Sequence, residues 1–195
     1  MKKIVRPEHE ISRSSYIDEI VRYKDKDLIK VITGIRRSGK SVILQQYYDL
    51  LTTVFKIKRS HIFYINFDDS NNNVLKENQN LAKTLKQFIS LNKGNKYVLL
   101  DEIQDVNNFE EIILNLYQHK EVDIYLTGSN ATLNSKQIAT KFVGRSVKIE
   151  ISPFSFTEMV EYNKKNSSSL KTNEELFDEY RKYGGMPVIL SLRSD

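Results

Sequence analysis

Residues 34–41 read GIRRSGKS, and no other stretch of the chain restricts its fold as tightly. The pattern is G-x-x-x-x-G-K-[ST], a backbone loop that wraps phosphate oxygens in its N–H groups. Gly34 and Gly39 allow the tight turn and the close approach that a Cβ would obstruct. Ile35, Arg36, Arg37 and Ser38 supply the intervening amides, Lys40 is placed to reach β and γ phosphates, and the Ser41 hydroxyl to coordinate Mg²⁺. Arg36 and Arg37 add positive charge that either meets a phosphate or a neighbouring acid, or is solvated. Such a loop has to leave a strand and open a helix, whose N-terminus contributes its own partial positive charge. Both flanks comply. LIKVIT (28–33) is the apolar run of a buried parallel strand, and Ser41 to Thr53 carries Val42, Ile43, Leu44, Tyr47, Leu50 and Leu51 on a broad helical face. At this composition roughly a few chance matches per thousand such chains are expected, so an ordinary strand-to-helix turn is the weaker reading.

The remaining pattern repeats the same alternation. Strands are predicted at IFYINF (62–67), KYVLL (96–100), VDIYLT (122–127) and SVKIEI (146–151). Between them, helices are predicted around Leu81, Leu85, Phe88 and Ile89, around Val106 to Tyr117, and after Gly128. Strand and helix in alternation specify an α/β fold with a parallel sheet covered on both faces. The asparagine-rich stretch 69–80 reads as a mobile loop, and Gly94 as a plain turn. An amphipathic lead-in helix within 8–24 precedes the first strand, with Ile17, Ile20, Val21 and Lys24 at helical spacing. Beyond Pro153 only helical patterns follow, near 155–162 and 174–183. The expected organisation is a lead-in at 1–26, a core at 27–152, and the start of a helical lid at 153–195.

Composition narrows the chemistry. Of 195 residues none is cysteine, which excludes a disulfide framework, a thiolate zinc site and a thiol nucleophile. No run approaches the 18 or so apolar residues of a membrane span, so a soluble, cytoplasmic protein is expected. The formal charge of +5 favours an anionic partner, yet the positive charge is scattered in groups such as Lys56, Lys58 and Arg59 or Lys136, Lys141, Arg145 and Lys148. Nucleic acid and a solvated lysine-rich surface both fit that distribution.

The second chemical signal is YVLLDE, whose Asp101 lies 61 residues beyond Lys40. Asp101, at the end of a strand, is suited to hold the Mg²⁺ shell, and Glu102 to orient or deprotonate an attacking water. The alternative for the pair is a helix N-cap. About 40 residues separate the first helix from this strand, room for one strand-helix unit that IFYINF fills. In this the chain resembles the additional-strand, catalytic-glutamate class of P-loop ATPases, which implies a five-stranded parallel sheet in the order 5-1-4-3-2. NKGN (92–95) lacks the aspartate of a GTPase base-specificity motif, which favours ATP.

Taken in order, TGIRRSGKS, YINFDD, VLLDEIQ, YLTGSN, Gly144-Arg145, ISPFSFTE and YGGMP resemble a family of prokaryotic AAA-type P-loop ATPases allied to the archaeal ATPases and the STAND group. The likeness runs from about 28 to 189. It implies ATP and Mg²⁺ as cofactors, Ser129 as a sensor with Asn130 as the alternative, and Arg145 as an arginine offered to a neighbouring subunit's γ-phosphate. It also implies that Gly184, Gly185 and Pro187 form the lid element that contacts adenine. Ser129 as a helix cap, Arg145 as a surface residue and the two glycines as a helix terminus are the competing readings. The Arg145 likeness implies a homo-oligomer, and because members of the family usually continue into a C-terminal domain, a missing domain or protein partner is implied as well. Three activities are compatible with these motifs: ATP hydrolysis, a nucleotide-gated switch with little turnover, and phosphotransfer to a small acceptor. The acidic pair suits water activation better than an acceptor.

Overall fold

A computed structural model describes residues 10–91, 93–133, 140–166 and 171–187. The expectations for the extreme N-terminus, for Lys136 and its neighbours, and for 188–195 lie outside the described residues. A lead-in helix α1 (Ser14–Arg22) is followed by β1 (Ile29–Gly34), α2 (Lys40–Thr53), β2 (Ile62–Asn66), α3 (Asn78–Leu91) and β3 (Lys96–Asp101). Then come α4 (Phe109–Tyr117), β4 (Val122–Ser129), the short α5 (Asn130–Leu133), β5 (Ser146–Ile151), α6 (Phe156–Asn166) and α7 (Asn173–Tyr183).

The five strands form one sheet in the order β2-β3-β4-β1-β5, every pairing parallel. This is the order 5-1-4-3-2 expected from the sequence. Parallel strands need crossovers long enough to hold a helix, and helices on both faces leave no face for polar alternation. The inner strands β1, β3 and β4 are accordingly mostly apolar and buried, with successive side chains feeding opposite layers, whereas β5 at the sheet's edge alternates and leaves Lys148 and Glu150 exposed. Val98 and Leu100 of β3 join Ile29, Val31, Ile124 and Leu126 in one layer, against Leu81 and Leu85 of α3 and Ile112, Ile113 and Leu116 of α4. Tyr97 and Leu99 point the other way, with Ile32, Tyr125, Ile149 and Ile151, into a layer closed by Ile20 of α1 and Ile43, Leu44, Tyr47 and Leu51 of α2. Fully burying one such aliphatic chain contributes about 1.5–3 kcal/mol, so the two layers supply most of the drive for the fold.

The buried charges of β1 and β4 are paired. Lys30 is fully buried and donates to Asp123, which also accepts from the Tyr125 hydroxyl at 2.8 Å and from the Asp25 backbone at 2.8 Å. A third, smaller cluster joins the lead-in to the helices beyond β5: Ile11 packs with Phe154, Met159, Tyr162 and Leu176. Thr172 and Glu175 form a reciprocal capping box that starts α7.

The asparagine-rich segment differs from its expected state. Residues Ser70–Lys76 form 3₁₀ turns, because short polar side chains satisfy the backbone locally. Asp69 accepts from the Asn71 backbone at 2.9 Å, Asn72 donates to the Asn66 carbonyl at 2.7 Å, and Asn80 to that of Val74 at 3.0 Å. Among the described residues no helix is long and apolar enough to cross a membrane.

Candidate functional site

Parallel strands all deliver their C-terminal ends to one edge, and in open α/β sheets that edge is where ligands bind. Here the edge gathers the loop after β1, Asp101 at the end of β3 and Glu102 just after it, Thr127 and Ser129 at the end of β4, and Ser152 after β5. Gly34 lies opposite Ser129 on one side and Ile151 on the other. A Cβ on Gly34 would stand 2.4 Å from the Ile151 carbonyl oxygen and 2.7 Å from Ser38 Oγ, so only glycine lets β1 turn out so close to β5. Gly39 has φ +99° and enters α2 from the left-handed region.

Within the loop, Lys40 is 3% exposed and folds back over its own turn. Its Nζ donates to the Ile35 carbonyl at 3.2 Å and the Gly34 carbonyl at 3.4 Å, and lies 3.7 Å from Glu102 Oε1. Ser41 Oγ donates to Asp101 Oδ1 at 3.0 Å, joining loop to β3 across 60 residues of sequence. Ile35, Arg36 and Arg37 are exposed, and Arg37 takes φ +67°.

Asp101 is fully buried. Its Oδ1 also accepts from the Thr127 hydroxyl, while Oδ2 is buried with no hydrogen-bond partner among the described residues. A buried carboxylate oxygen left open in this way fits a hydrated divalent cation held jointly with Ser41. Burial pushes the Asp101 carboxyl up to about 6, the nearby Glu102 and Asp68 carboxylates adding to the effect and the Thr127 and Ser41 hydroxyls opposing it. The sign follows directly. A folded-state value above the ordinary 3.8 makes the ligand-free fold hold the proton longer, so stability declines as pH rises from about 4 to about 6 and the loss is complete above that. The full shift corresponds to on the order of 3 kcal/mol. Asp101→Asn is expected to raise the unfolding free energy of the ligand-free chain at pH 7 by about 1–2 kcal/mol, the buried amide forfeiting the rest, and to flatten the decline between pH 4 and 6. Urea melts across that interval check both.

Glu102 sits at φ +55°, a left-handed conformation uncommon for a residue with a side chain. Its N–H donates to Thr127 Oγ1 at 2.9 Å, and Gln104 Nε2 donates to its Oε2 at 2.5 Å. Thr127 therefore serves both acids at once. Neither Thr127 nor Gln104 was singled out from the sequence, although a threonine closing an apolar strand is the kind of polar exception that needs a partner. Arg13 was missed too. It is 3% exposed and donates to the Ser38 carbonyl of the loop at 3.0 Å.

The other expected residues fall in two places. Ser129 ends β4 beside the loop, in register with Gly34. The Phe154 N–H donates to the Gly185 carbonyl at 2.7 Å, so the Gly185–Pro187 segment lies against the exit of β5. Arg145 precedes β5, and its carbonyl accepts from Ile29 N–H at the start of β1. It is exposed and stands at the opposite edge of the sheet from its own chain's loop, roughly 17 Å away at about 3.3 Å per strand residue.

A phosphate loop between β1 and α2, an acidic pair on the third strand and this strand order define a P-loop nucleotide-binding fold of the AAA type. The chain belongs to the AAA domain family, whose sequence profile matches residues 26–160. It is 39% identical over 180 residues to an uncharacterized protein of Haemophilus influenzae, covering 92% of this chain and 44% of that protein. To the uncharacterized protein MJ1544 of Methanocaldococcus jannaschii it is 37% identical over 169 residues, covering 83% of this chain and 36% of the relative. The chain thus spans less than half the length of these relatives. Among solved structures, the Walker-type ATPase PABY2304 of Pyrococcus abyssi superposes with a TM-score of 0.69 at 17% identity, over 98% of this chain and 69% of that one. AMPPCP-bound DnaA from Aquifex aeolicus gives 0.62 at 20%, over 97% and 61%. At these identities the structural likeness is one of fold.

Proposed function

We propose that this chain binds ATP and hydrolyses it in a Mg²⁺-dependent reaction, and that the nucleotide state drives a conformational change in a downstream domain or partner. The observation that carries the reading is the pairing of loop with acids: Ser41 on Asp101 at 3.0 Å and Lys40 facing Glu102 at 3.7 Å. The amides of residues 35–41 and the Lys40 ammonium bind the phosphates; Ser41 and Asp101 would hold Mg²⁺, which supplies neutralisation of charge on the β and γ oxygens. Glu102 accepts the proton of the attacking water, with Gln104 holding its carboxylate and Thr127 its backbone N–H. Ser129, beside the loop, senses the γ-phosphate. Arg145 stands too far from its own loop to serve it, so its role at a γ-phosphate is in trans, on a neighbouring copy in a homo-oligomer. Helices α6 and α7 begin a lid that brings Gly184, Gly185 and Pro187 to adenine. Phosphate release from ATP by the purified chain, measured with Mg²⁺ and with excess chelator, tests the proposal: turnover is expected only with the metal, and no turnover under either condition counts against hydrolysis.

A nucleotide-gated switch with slow turnover is the second reading, and one observation favours it. Both Glu102 oxygens are engaged, by Gln104 and Lys40, so these contacts must loosen before the carboxylate can take a proton from water. A monomer that purifies with ADP and turns over slowly would support the switch; ATP-dependent assembly with a requirement for Arg145 would support the active ATPase.

A further inference from the structure

Arg13 has more hydrogen-bonding work than any surface or packing role asks of an arginine. Its Nε and Nη2 grip the Glu158 carboxylate of α6 at 2.6 and 3.1 Å, a bidentate fork. Nη2 also donates to the Ser152 carbonyl at 3.0 Å, and Nη1 to the Ser38 carbonyl at 3.0 Å. Tyr16 and Phe154 lie against the guanidinium, with ring centroids 4.5 and 5.2 Å from its central carbon. One side chain from the lead-in thereby joins the phosphate loop, the exit of β5 and the first helix beyond the sheet.

The Ser38 contact bears on anion binding through peptide geometry. The Ser38 carbonyl and the Gly39 N–H belong to one planar trans unit and point in opposite directions. With the oxygen held by Arg13, the Gly39 N–H is aimed away from the guanidinium. The guanidinium side is filled by Tyr16, Phe154 and Glu158, so an anion approaches from the other. Gly39, at φ +99°, has the freedom to let that peptide turn over. Turning it would present a carbonyl to the anion and an N–H to a cation, both unfavourable, and would strip Arg13 of an acceptor.

We propose that Arg13 is a positioning residue for nucleotide: braced by Glu158, it fixes the Ser38–Gly39 peptide with its N–H toward the phosphates, and so couples the seat of α6 to nucleotide affinity. The inference rests on the ATP reading above and adds to it a residue outside the loop and acids. Lysine cannot replace arginine here, since one ammonium cannot span a carboxylate and two carbonyls in fixed directions.

The test is calorimetric titration of the full chain with ADP and with ATP, beside R13K and E158Q, each checked for folding by circular dichroism. R13K is expected to bind ADP at least about tenfold more weakly while its turnover at saturating ATP stays within about threefold, a split that loss of stability alone would not give. E158Q is expected to weaken ADP by about threefold, and R13K/E158Q to bind no worse than R13K, because both act through one contact. Folded R13K with wild-type affinity overturns the inference and leaves the ATP reading standing. Should R13K not fold, E158Q decides alone, and unchanged affinity there overturns the coupling. A wild-type chain that binds neither nucleotide removes the ATP reading and this inference together.

Discussion

Lys40→Ala is expected to abolish nucleotide binding while leaving the fold intact. The ammonium is buried in the turn of its own loop, with two neutral carbonyls at 3.2 and 3.4 Å and one carboxylate at 3.7 Å for company. Such a cation is poorly compensated, and an arriving phosphate supplies the missing charge at hydrogen-bond distance. Charge-assisted contacts of this kind are about twice as strong as neutral ones, so affinity should fall at least about 100-fold. The ligand-free stability should change little, since alanine removes a buried charge together with its hydrogen bonds. Thermal shift reads both effects in one experiment. At a nucleotide concentration 100 times Kd the wild-type chain gains about 2.7 kcal/mol, whereas a variant with a 100-fold weaker Kd gains only about 0.4 kcal/mol under the same conditions. A full nucleotide-induced shift in Lys40→Ala would show that the phosphates are held elsewhere.

That contrast depends on a site whose parts differ in how plainly the sequence displays them. The loop is contiguous, and its flanks are an apolar run and an amphipathic run, so both the turn and its setting can be read from local pattern. The sheet order is readable as well: buried parallel strands are continuously apolar, and a single strand-helix unit fits between α2 and the Asp101 strand. Asp101 and Glu102 announce themselves because two acids interrupt an apolar strand at its exit. The supporting residues do not. Thr127 acts on Asp101 across 26 residues, and Arg13 reaches Ser38 across 25 and Glu158 across 145. No periodicity encodes such separations; they exist only once the sheet has brought strand ends together. The asparagine-rich segment was obscured for a different reason. Polar composition suggests solvation, yet short side chains that bond their own backbone can order a loop with little apolar burial.

Glu102→Gln is expected to keep nucleotide binding and lose turnover, and the surroundings of Glu102 explain why the two should separate. The substitution preserves shape and leaves the backbone at φ +55°, held through its N–H to Thr127 Oγ1 at 2.9 Å. It removes the carboxylate that faces Lys40 at 3.7 Å, so the ammonium loses a competitor for the γ-phosphate and ATP should bind at least as tightly as before. It also removes the proton acceptor. A positioned general base contributes about 10²–10⁴-fold, equivalent to about 3–5 kcal/mol in the barrier, and an amide cannot replace it. Single-turnover phosphate release from a preformed complex isolates this step from product release, and titration of the same preparation with ATP supplies the affinity. Wild-type release in Glu102→Gln would assign the base to another group. Loss of ATP binding in the same variant would instead mean that Glu102 supports the loop more than the water, and that the left-handed turn after β3 is a structural feature first.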